Sequence, residues 1–418
     1  MYRTEFSVRI IGAGTGGLCL AQGLRQDGVE VEVYERDQTP SDRLQGYRLS
    51  ISTIGRRALK ECLPQGLFKE LVENCAKPSE SVTFLDHHLN RLLVIDLPHG
   101  NREDGDSELP VSRIALRRIL SKGLDNVVRY DKKFVAFDDA PEGGVTARFE
   151  DGTSTTGDVL IGADGASSRL REQLLPAARR IETGIIAVSG KARLSDEVRR
   201  STPQPILRGP TPILGPGGCF MFASTVDYEE AAAAGGERYD RERYVMWGFS
   251  THRETLGLPA DLSAVGGEEA TAAVIALMDA WHPALRRLVQ TADLATITAF
   301  AVKTSVPVPP WVTQKVTLLG DAIHNMTPFR GIGANTALRD AAALRRALVA
   351  AARGEANLIH ALAAYERDMI RYGFAAVQTS LKDMERFHAK GFLARTAAKS
   401  LFRLIDHVPP LKAMFLHR

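Results

Sequence analysis

Three hydrophobic periods follow one another along this chain, and the sharpest switch falls at its start. Phe6-Ser7-Val8-Arg9-Ile10-Ile11 reads as a short buried strand. Leu18, Ala21 and Leu24 then recur at helical spacing, Gly28 closes that helix, and Val29, Val31 and Val33 alternate with Glu30 and Glu32 as a second strand. Beyond it, 46–51 reads as a strand, Thr53 as the cap of a helix through Ala58, Leu59 and Leu63, and 81–84 and 91–97 as strands. Ile114, Leu116, Ile119 and Leu120 mark another amphipathic helix, and strands follow at 127–130, 134–138, 145–149 and 159–161. From about Ile181 the pattern becomes strand-like, at 185–192, 219–225 and 243–250, with Pro/Gly-rich and Ala/Glu-rich connections. Helical patterns at 269–281 and 284–288 lead to 297–306 and an extended Pro307-Val308-Pro309-Pro310 boundary. A buried strand at 315–319, an Ala-rich helix at 335–352 and further helices complete an α/β chain with a β-rich insert.

The turn between the first strand and helix carries the first candidate chemistry. Gly12-Ala13-Gly14-Thr15-Gly16-Gly17 places glycines at the spacing of a dinucleotide fingerprint, and Glu35 ends the second strand eighteen residues after Gly17. Gly12 permits a tight turn, Gly14 lets backbone approach a pyrophosphate, and Gly17 lets helix and strand pack closely. The helix start at Thr15 and Gly16 offers unpaired N–H donors and a positive dipole end to phosphate. Glu35 would accept from both hydroxyls of an adenosine ribose and repel a 2′-phosphate, which suits FAD or NAD rather than NADP.

Composition narrows the class. With 418 residues the chain has room for two or three domains, and a net charge of +3 gives no support to a nucleic-acid role. Four separated cysteines without C-x-x-C indicate neither a disulfide framework nor a zinc site, as expected in a reducing, cytoplasmic setting. The N-terminus enters a strand within a few residues, which leaves no room for a signal peptide, and no apolar run is long enough to span a membrane.

Two further turns follow strands. In Gly162-Ala163-Asp164-Gly165-Ala166-Ser167-Ser168-Arg169-Leu170-Arg171, Ser168 can cap a helix and Arg171 is a pyrophosphate candidate, the plainer alternative being a capped turn with a surface Arg. In the run from Leu319 to Asn335, Asp321 can accept from sugar-chain hydroxyls, and Gly331 and Gly333 allow close backbone approach. A helix starting near Asn335 would aim N–H groups at negative charge on a flavin's N1–C2=O edge; His324 reads as a packed, hydrogen-bonded residue rather than a catalyst.

The three motifs, in this order and spacing, resemble the single-component FAD-dependent aromatic hydroxylases, the group A flavoprotein monooxygenases, over essentially the whole chain. The resemblance implies a glutathione-reductase-type FAD-binding Rossmann domain at 1–75, 105–180 and 312–385. It implies a substrate-binding β-sheet domain at 76–104 and 181–311, and a C-terminal helical tail at 386–418. Gly12, Gly14 and Gly17 would face the pyrophosphate of non-covalent FAD, Glu35 the ribose, Arg36 the adenine side and Val135 the adenine through its backbone. Arg113 matches an FAD-contacting arginine, Asp164 and Arg171 the motif linked to FAD and NAD(P)H together, and Asp321 the ribityl or pyrophosphate part. Gly333, Ala334 and Asn335 would meet the flavin ring and Pro328 its substrate side. Arg48 sits one position from a mobile-flavin arginine, Ile332 replaces a frequent Gln, Arg330 adds a charge near the ring, and no acid–base residue of the better-known hydroxylases is matched.

The implied reaction reduces FAD with NAD(P)H, adds O2 to give a C4a-hydroperoxyflavin and hydroxylates or epoxidises an aromatic or polycyclic small molecule. Phe220 with Phe222, and Trp247 with Phe249, are expected to stack on that substrate, against the alternative of ordinary sheet core; Met221 and Met246 read as packing residues. Rival readings are a non-oxygenating flavin reductase or halogenase, the latter weakened by the missing W-x-W-x-I-P motif, and a silent FAD- or ligand-binding protein. In the basic tail, Leu393, Ala397, Leu401 and Leu404 form a stripe that suits a helix packed on the FAD domain better than a membrane-surface helix.

Overall fold

A computed structural model describes residues 6–39, 47–97, 108–228, 239 and 241–408, with the side chains of 392–398 excepted. The sequence-expected loop at 100–107 and the tail beyond 408 lie outside the described residues, as do the side chains of Leu393 and Ala397 of the tail stripe.

The core of the first layer is a five-stranded parallel sheet. Its order is Val316–Leu318, Val159–Gly162, Ser7–Ile11, Glu30–Tyr34, Val128–Arg129. All five residues of the central strand are buried, as parallel strands covered on both faces require. The helices Thr15–Gln26 and Gly333–Ala352 pack on each other over one face. An antiparallel meander, Phe134–Asp139, Val145–Phe149 and Ser154–Gly157, joins the Val128–Arg129 strand to Val159–Gly162. Tyr34 stacks on Phe149 with centroids 4.7 Å apart and fixes the meander to the sheet.

The β-rich insert forms a mixed seven-stranded sheet. Its order is Thr298–Ser305, Arg180–Arg193, Tyr244–His252, Phe220–Val226, Thr211–Leu214, Ser81–Asp86, Arg91–Asp96. Thr211–Leu214 is a strand the sequence pattern hides, since it has four residues, contains Pro212, and pairs in parallel with Ser81–Asp86. One face of this sheet (Met221, Ala223, Trp247 and Phe249) packs on the helices Gly267–Ala276 and Pro283–Gln290, through Val274 and Leu285, and on Met278 and Trp281 of the segment between them. The other face turns toward the parallel-sheet layer. Thr53 starts the helix Thr53–Cys62 but does not cap it; Ser52 occupies the cap position, with no side-chain bond.

One long helix, Leu358–Phe387, connects the layers. Tyr365 donates to the Leu318 carbonyl at 2.9 Å, Glu366 accepts from Thr317 at 2.8 Å, and Tyr372 reaches Asp340 at 2.6 Å. Ser380 and Thr327 exchange hydrogen bonds, and Phe387 stacks on Phe220 at 4.7 Å. Just past its end, His388 Nδ1 donates to the Met384 carbonyl at 2.7 Å, which leaves Nε2 to accept from Ser250 at 2.9 Å. Beyond it the helix Phe392–His407 lies on the seven-stranded sheet, not on the FAD-domain layer. Phe402 packs on Phe84, and Asp406 accepts from the Val94 amide at 3.0 Å. The apolar partners Leu92, Leu93 and Ile95 sit on that sheet's edge, and this is what overturns the expected packing of the tail.

Burial lowers the pKa of His388 to about 4. The folded protein therefore holds it neutral while the unfolded chain protonates it below about 6.5. The stability it contributes is full above pH 6.5 and is lost as pH falls toward 4, on the order of 1–3 kcal/mol. His388→Leu should flatten the fall of the thermal midpoint across that window; an unchanged slope would remove His388 as its source.

Candidate active site

The strand order brings three turns together at the carboxyl edge of the parallel sheet. The Ala163 amide donates to the Ile11 carbonyl at 2.8 Å, and the Leu319 amide to the Gly162 carbonyl at 2.9 Å. The turns after residues 11, 162 and 319 are thus neighbours. Gly12 has φ +107°, and a Cβ there would lie 2.4 Å from the Ala163 carbonyl oxygen. A Cβ on Gly17 would meet the Gly12 carbonyl at 2.1 Å, and one on Gly16 the Leu319 side chain at 2.6 Å. These three glycines serve contacts between the turns.

Gly14 differs. A Cβ there would meet nothing within 4 Å, its residue is exposed, and no side chain caps the helix Thr15–Gln26 that it begins. The result is an open backbone cradle under a bare helix N-terminus. Glu35, buried, stands beside it: one carboxylate oxygen accepts from the Ala13 amide at 2.8 Å, the other from the Asp37 amide at 3.0 Å. Each oxygen keeps a lone pair for a further donor. Asp164 follows Ala163, with one carboxylate oxygen shielded from solvent and without a partner among the described residues. Burial raises its pKa against hydrogen bonds from Ser168 and the turn amides. An uncapped helix, an open glycine and an orphaned acceptor on adjoining turns fit the phosphate and ribose ends of a dinucleotide such as FAD.

Arg36 is exposed, as is Arg113 at the first turn of the helix Arg113–Ser121, which Ser112 caps. Val135 is 46% exposed at a β-bulge between Phe134 and Ala136. Asp321 is exposed, its carboxylate 3.8 Å from where a Gly333 Cβ would stand. Gly333 and Ala334 are half-buried at the start of Gly333–Ala352, again with no side-chain cap.

Several expected roles change. Arg171 is 5% exposed and donates to the carbonyls of Ala166 and Ala322 at 3.1 and 3.2 Å. It ties the second turn to the third instead of presenting its fork to a phosphate. The Asn335 side chain bonds the Ser52 amide and Ser50 carbonyl at 2.8 and 2.9 Å, so only its backbone is left for a flavin. Arg48 points to the seven-stranded sheet, donating to Ser224 and Ser79 at 3.1 and 3.0 Å; burial lowers its pKa. Arg330 is paired with Asp383 at 3.0 Å. His324 is a packed residue, as read from sequence: its Nε2 lies 2.6 Å from Asp340, which also accepts from the Gly320 amide at 2.7 Å.

The aromatic residues divide by strand register. Trp247 and Phe249 are fully buried, and Phe249 lies 5.5 Å from Trp281. They belong to the sheet's helix-covered core and cannot line a substrate cavity. Phe220 and Phe222 lie on the opposite face, where Phe220 also meets Phe329 at 5.7 Å; Pro328 is exposed beside Phe329. On that same inward face Met246, Gly248 and Ser189 are half-buried, and Met246 packs against Val226, Tyr228 and Tyr244, as a packing residue does. Tyr47, half-buried, donates to the Thr296 carbonyl at 3.2 Å, and burial raises its pKa. Sequence reasoning missed Tyr47, Ser189 and Gly248; pairing register was the signal that would have found the last two.

This arrangement defines an FAD-binding protein of the Rossmann class. Residues 5–380 match the family described as FAD binding domain, and the chain belongs to it, among the group A flavoprotein hydroxylases. A dual O-methyltransferase/FAD-dependent monooxygenase of Phaeosphaeria nodorum is 30% identical over 434 residues, covering 96% of this chain and 46% of that protein. The chain thus spans less than half the length of that relative. An FAD-dependent urate hydroxylase of Mycolicibacterium vanbaalenii is 30% identical, covering 92% of this chain and 89% of that protein. Among solved structures, a Photorhabdus luminescens protein assigned to the FAD-containing monooxygenases superposes with TM-score 0.82 at 34% identity, covering 92% of this chain and 99% of that one. Klebsiella pneumoniae HpxO, complexed with FAD and uric acid, gives 0.80 at 24% identity over 99% and 96%, which shows the fold. Among the described residues, no helix is long and apolar enough to cross a membrane, and no His/Cys/Asp/Glu group could hold a metal ion.

Gly14→Ala should fold with an unchanged thermal midpoint, because its Cβ has room, yet lose FAD affinity at least about tenfold by blocking close approach. Gly12→Ala should lower the midpoint, since both φ and the Ala163 carbonyl oppose it. Flavin absorbance per protein and calorimetric melting read the two effects; a Gly14→Ala protein that retains full affinity would contradict the cradle.

Proposed function

We propose that this chain is a single-component FAD-dependent monooxygenase that uses NAD(P)H and O2 to hydroxylate or epoxidise an aromatic or polycyclic small molecule. The observation that carries this reading is the open Gly14 cradle together with a half-buried, partly aromatic sheet face around Phe222 and Gly248, where a Cβ on Gly248 would meet only Ser189 within 4 Å. FAD, when bound, supplies the redox chemistry, accepting electrons from the nicotinamide and activating O2.

In this reading the backbone of Gly12, Gly14, Thr15, Gly16 and Gly17 holds the pyrophosphate. Glu35 accepts from the ribose, Arg36, Arg113 and Val135 flank the adenine half, and Asp321 holds the sugar chain. The backbone of Gly333, Ala334 and Asn335, at an uncapped helix start, stabilises negative charge on the ring. Pro328, Phe329, Phe222 and Tyr47 exclude water and orient the substrate plane. We assign 1–75, 105–180 and 312–385 to the cofactor domain and 76–104 and 181–311 to the substrate domain; their separate sheets and cores support this. Four buried cysteines, none in a disulfide among the described residues, suit a reducing cytoplasm.

The purified protein should be yellow, and a phenolic or polycyclic effector should raise NAD(P)H oxidation several-fold while giving a product one oxygen atom heavier. Oxygen electrode and mass spectrometry read both; stoichiometric peroxide with every compound, or a saturated product without O2 uptake, would refute the proposal.

A further inference from the structure

The segment from Thr327 to Asn335 is fastened at both ends and left open in the middle. Pro328 and Gly331 are exposed, Gly331 has φ +63°, and a Cβ on it would meet nothing within 4 Å. A Cβ on Gly333 would find its nearest atoms, on Asp321 and Met326, only at 3.8 Å. At the far end, the Asn335 side chain grips the Ser50 carbonyl and the Ser52 amide. At the near end, the long helix Leu358–Phe387 and the residue after it make three attachments. Ser380 meets Thr327, Asp383 pairs with Arg330 at 3.0 Å, and the His388 ring lies 5.0 Å from Phe329.

Nothing within the helix calls for Ser380. Serine is a mediocre helix former, and a hydroxyl in a helix interior commonly turns back to the carbonyl four residues earlier. Thr379 does so, donating to the Ala375 carbonyl at 2.7 Å. Ser380, fully buried, turns outward from the helix instead. Its Oγ donates to the Thr327 carbonyl at 2.7 Å, while Thr327 Oγ1 donates to the Ser380 carbonyl at 3.0 Å. Thr327 is buried as well, so two hydroxyls leave water to make one reciprocal clasp. Alanine would suit the helix better and avoid that desolvation. The clasp holds the residue at which the turn Pro328–Arg330 starts, shortly before the uncapped helix Gly333–Ala352.

We propose that Ser380 is a positioning residue for the flavin. Through Thr327 it fixes the open start of the helix Gly333–Ala352, whose backbone N–H groups favour the negative charge of the reduced ring. This rests on the placement of the ring at Gly333 to Asn335 given above, and adds the side chain that tunes the cofactor's potential from the long helix.

The test measures the two-electron midpoint potential of bound FAD, without substrate, in wild type, Ser380→Ala, Thr327→Val and Thr327→Ser. Flavin absorbance per protein and the thermal midpoint report integrity. Ser380→Ala should retain FAD yet favour its reduced form about tenfold less, a fall of about 30 mV for a two-electron couple. Thr327→Ser keeps the hydroxyl and should keep the wild-type potential, whereas Thr327→Val should follow Ser380→Ala. A Ser380→Ala protein that melts earlier but holds the wild-type potential overturns this inference, since a merely structural clasp gives that result; the monooxygenase reading then still stands. Should Ser380→Ala fail to fold, Thr327→Val decides in its place: a lowered potential supports the clasp and an unchanged one overturns it. A wild type that binds no FAD overturns both.

Discussion

A helix of this length leaves its first backbone N–H groups without partners, and the site depends on how the helix Thr15–Gln26 leaves them. In most helices a Ser, Thr or Asp side chain would close that end. Here Gly14 stands at the cap, offers no side chain and fills no space, so donors and dipole face outward. Keeping an end open requires the surrounding turns to be rigid. Gly17 touching the Gly12 carbonyl, Gly12 against Ala163, and Glu35 on the Ala13 amide supply that rigidity from three sides. The neighbouring strands set the spacing, so a parallel sheet in the order observed is what turns three short sequence motifs into one site.

The second constraint is the long helix Leu358–Phe387. Its residues meet the edge strand of the parallel sheet at Tyr365, the buried Asp340 of the helix Gly333–Ala352 at Tyr372, the Thr327 loop at Ser380 and the seven-stranded sheet at Phe387. A 30-residue helix is roughly 45 Å long, enough to span both layers without a hinge. It therefore fixes the distance between the glycine cradle and the inward sheet face. Arg171 and Arg48 act in the same sense. Both looked like ligand-binding cations in the sequence, and both bond across element boundaries, Arg48 to two serine hydroxyls and Arg171 through one nitrogen to two carbonyls, its buried Nε remaining without a partner among the described residues.

What was legible in the sequence was local: the period switches around Gly12 to Glu35, the capped turn at Ser168, and the long Ala-rich helix. These are signals a few residues wide with a physical cause in the backbone. The parallel sheet followed from them because a strand–helix–strand unit leaves few topologies. What was not legible depended on pairing partners. The sequence places Phe220 with Phe222 and Trp247 with Phe249, but only register says that the second pair lies on the opposite face from the first. The tail was visible as a helix, but its stripe residues Leu401 and Leu404 are exposed, and Phe402 and Ile405 instead meet the apolar edge of Ser81–Asp86 and Arg91–Asp96, some three hundred residues earlier in the chain.

That division follows from the energetics of burial. Large aromatic side chains gain most from full removal from water, about 25 cal/mol per Å² of apolar surface, and so are drawn to the face that helices cover. Trp247 and Phe249 go there. A cavity for a planar ligand has the opposite requirement: its wall must stay unfilled in the free protein, so the residues that define it are small or pliable ones. In a sheet the composition of the strands therefore advertises the core, while an unfilled spot on the other face shows only at a position such as Gly248, where a Cβ would meet Ser189 alone, at 3.9 Å.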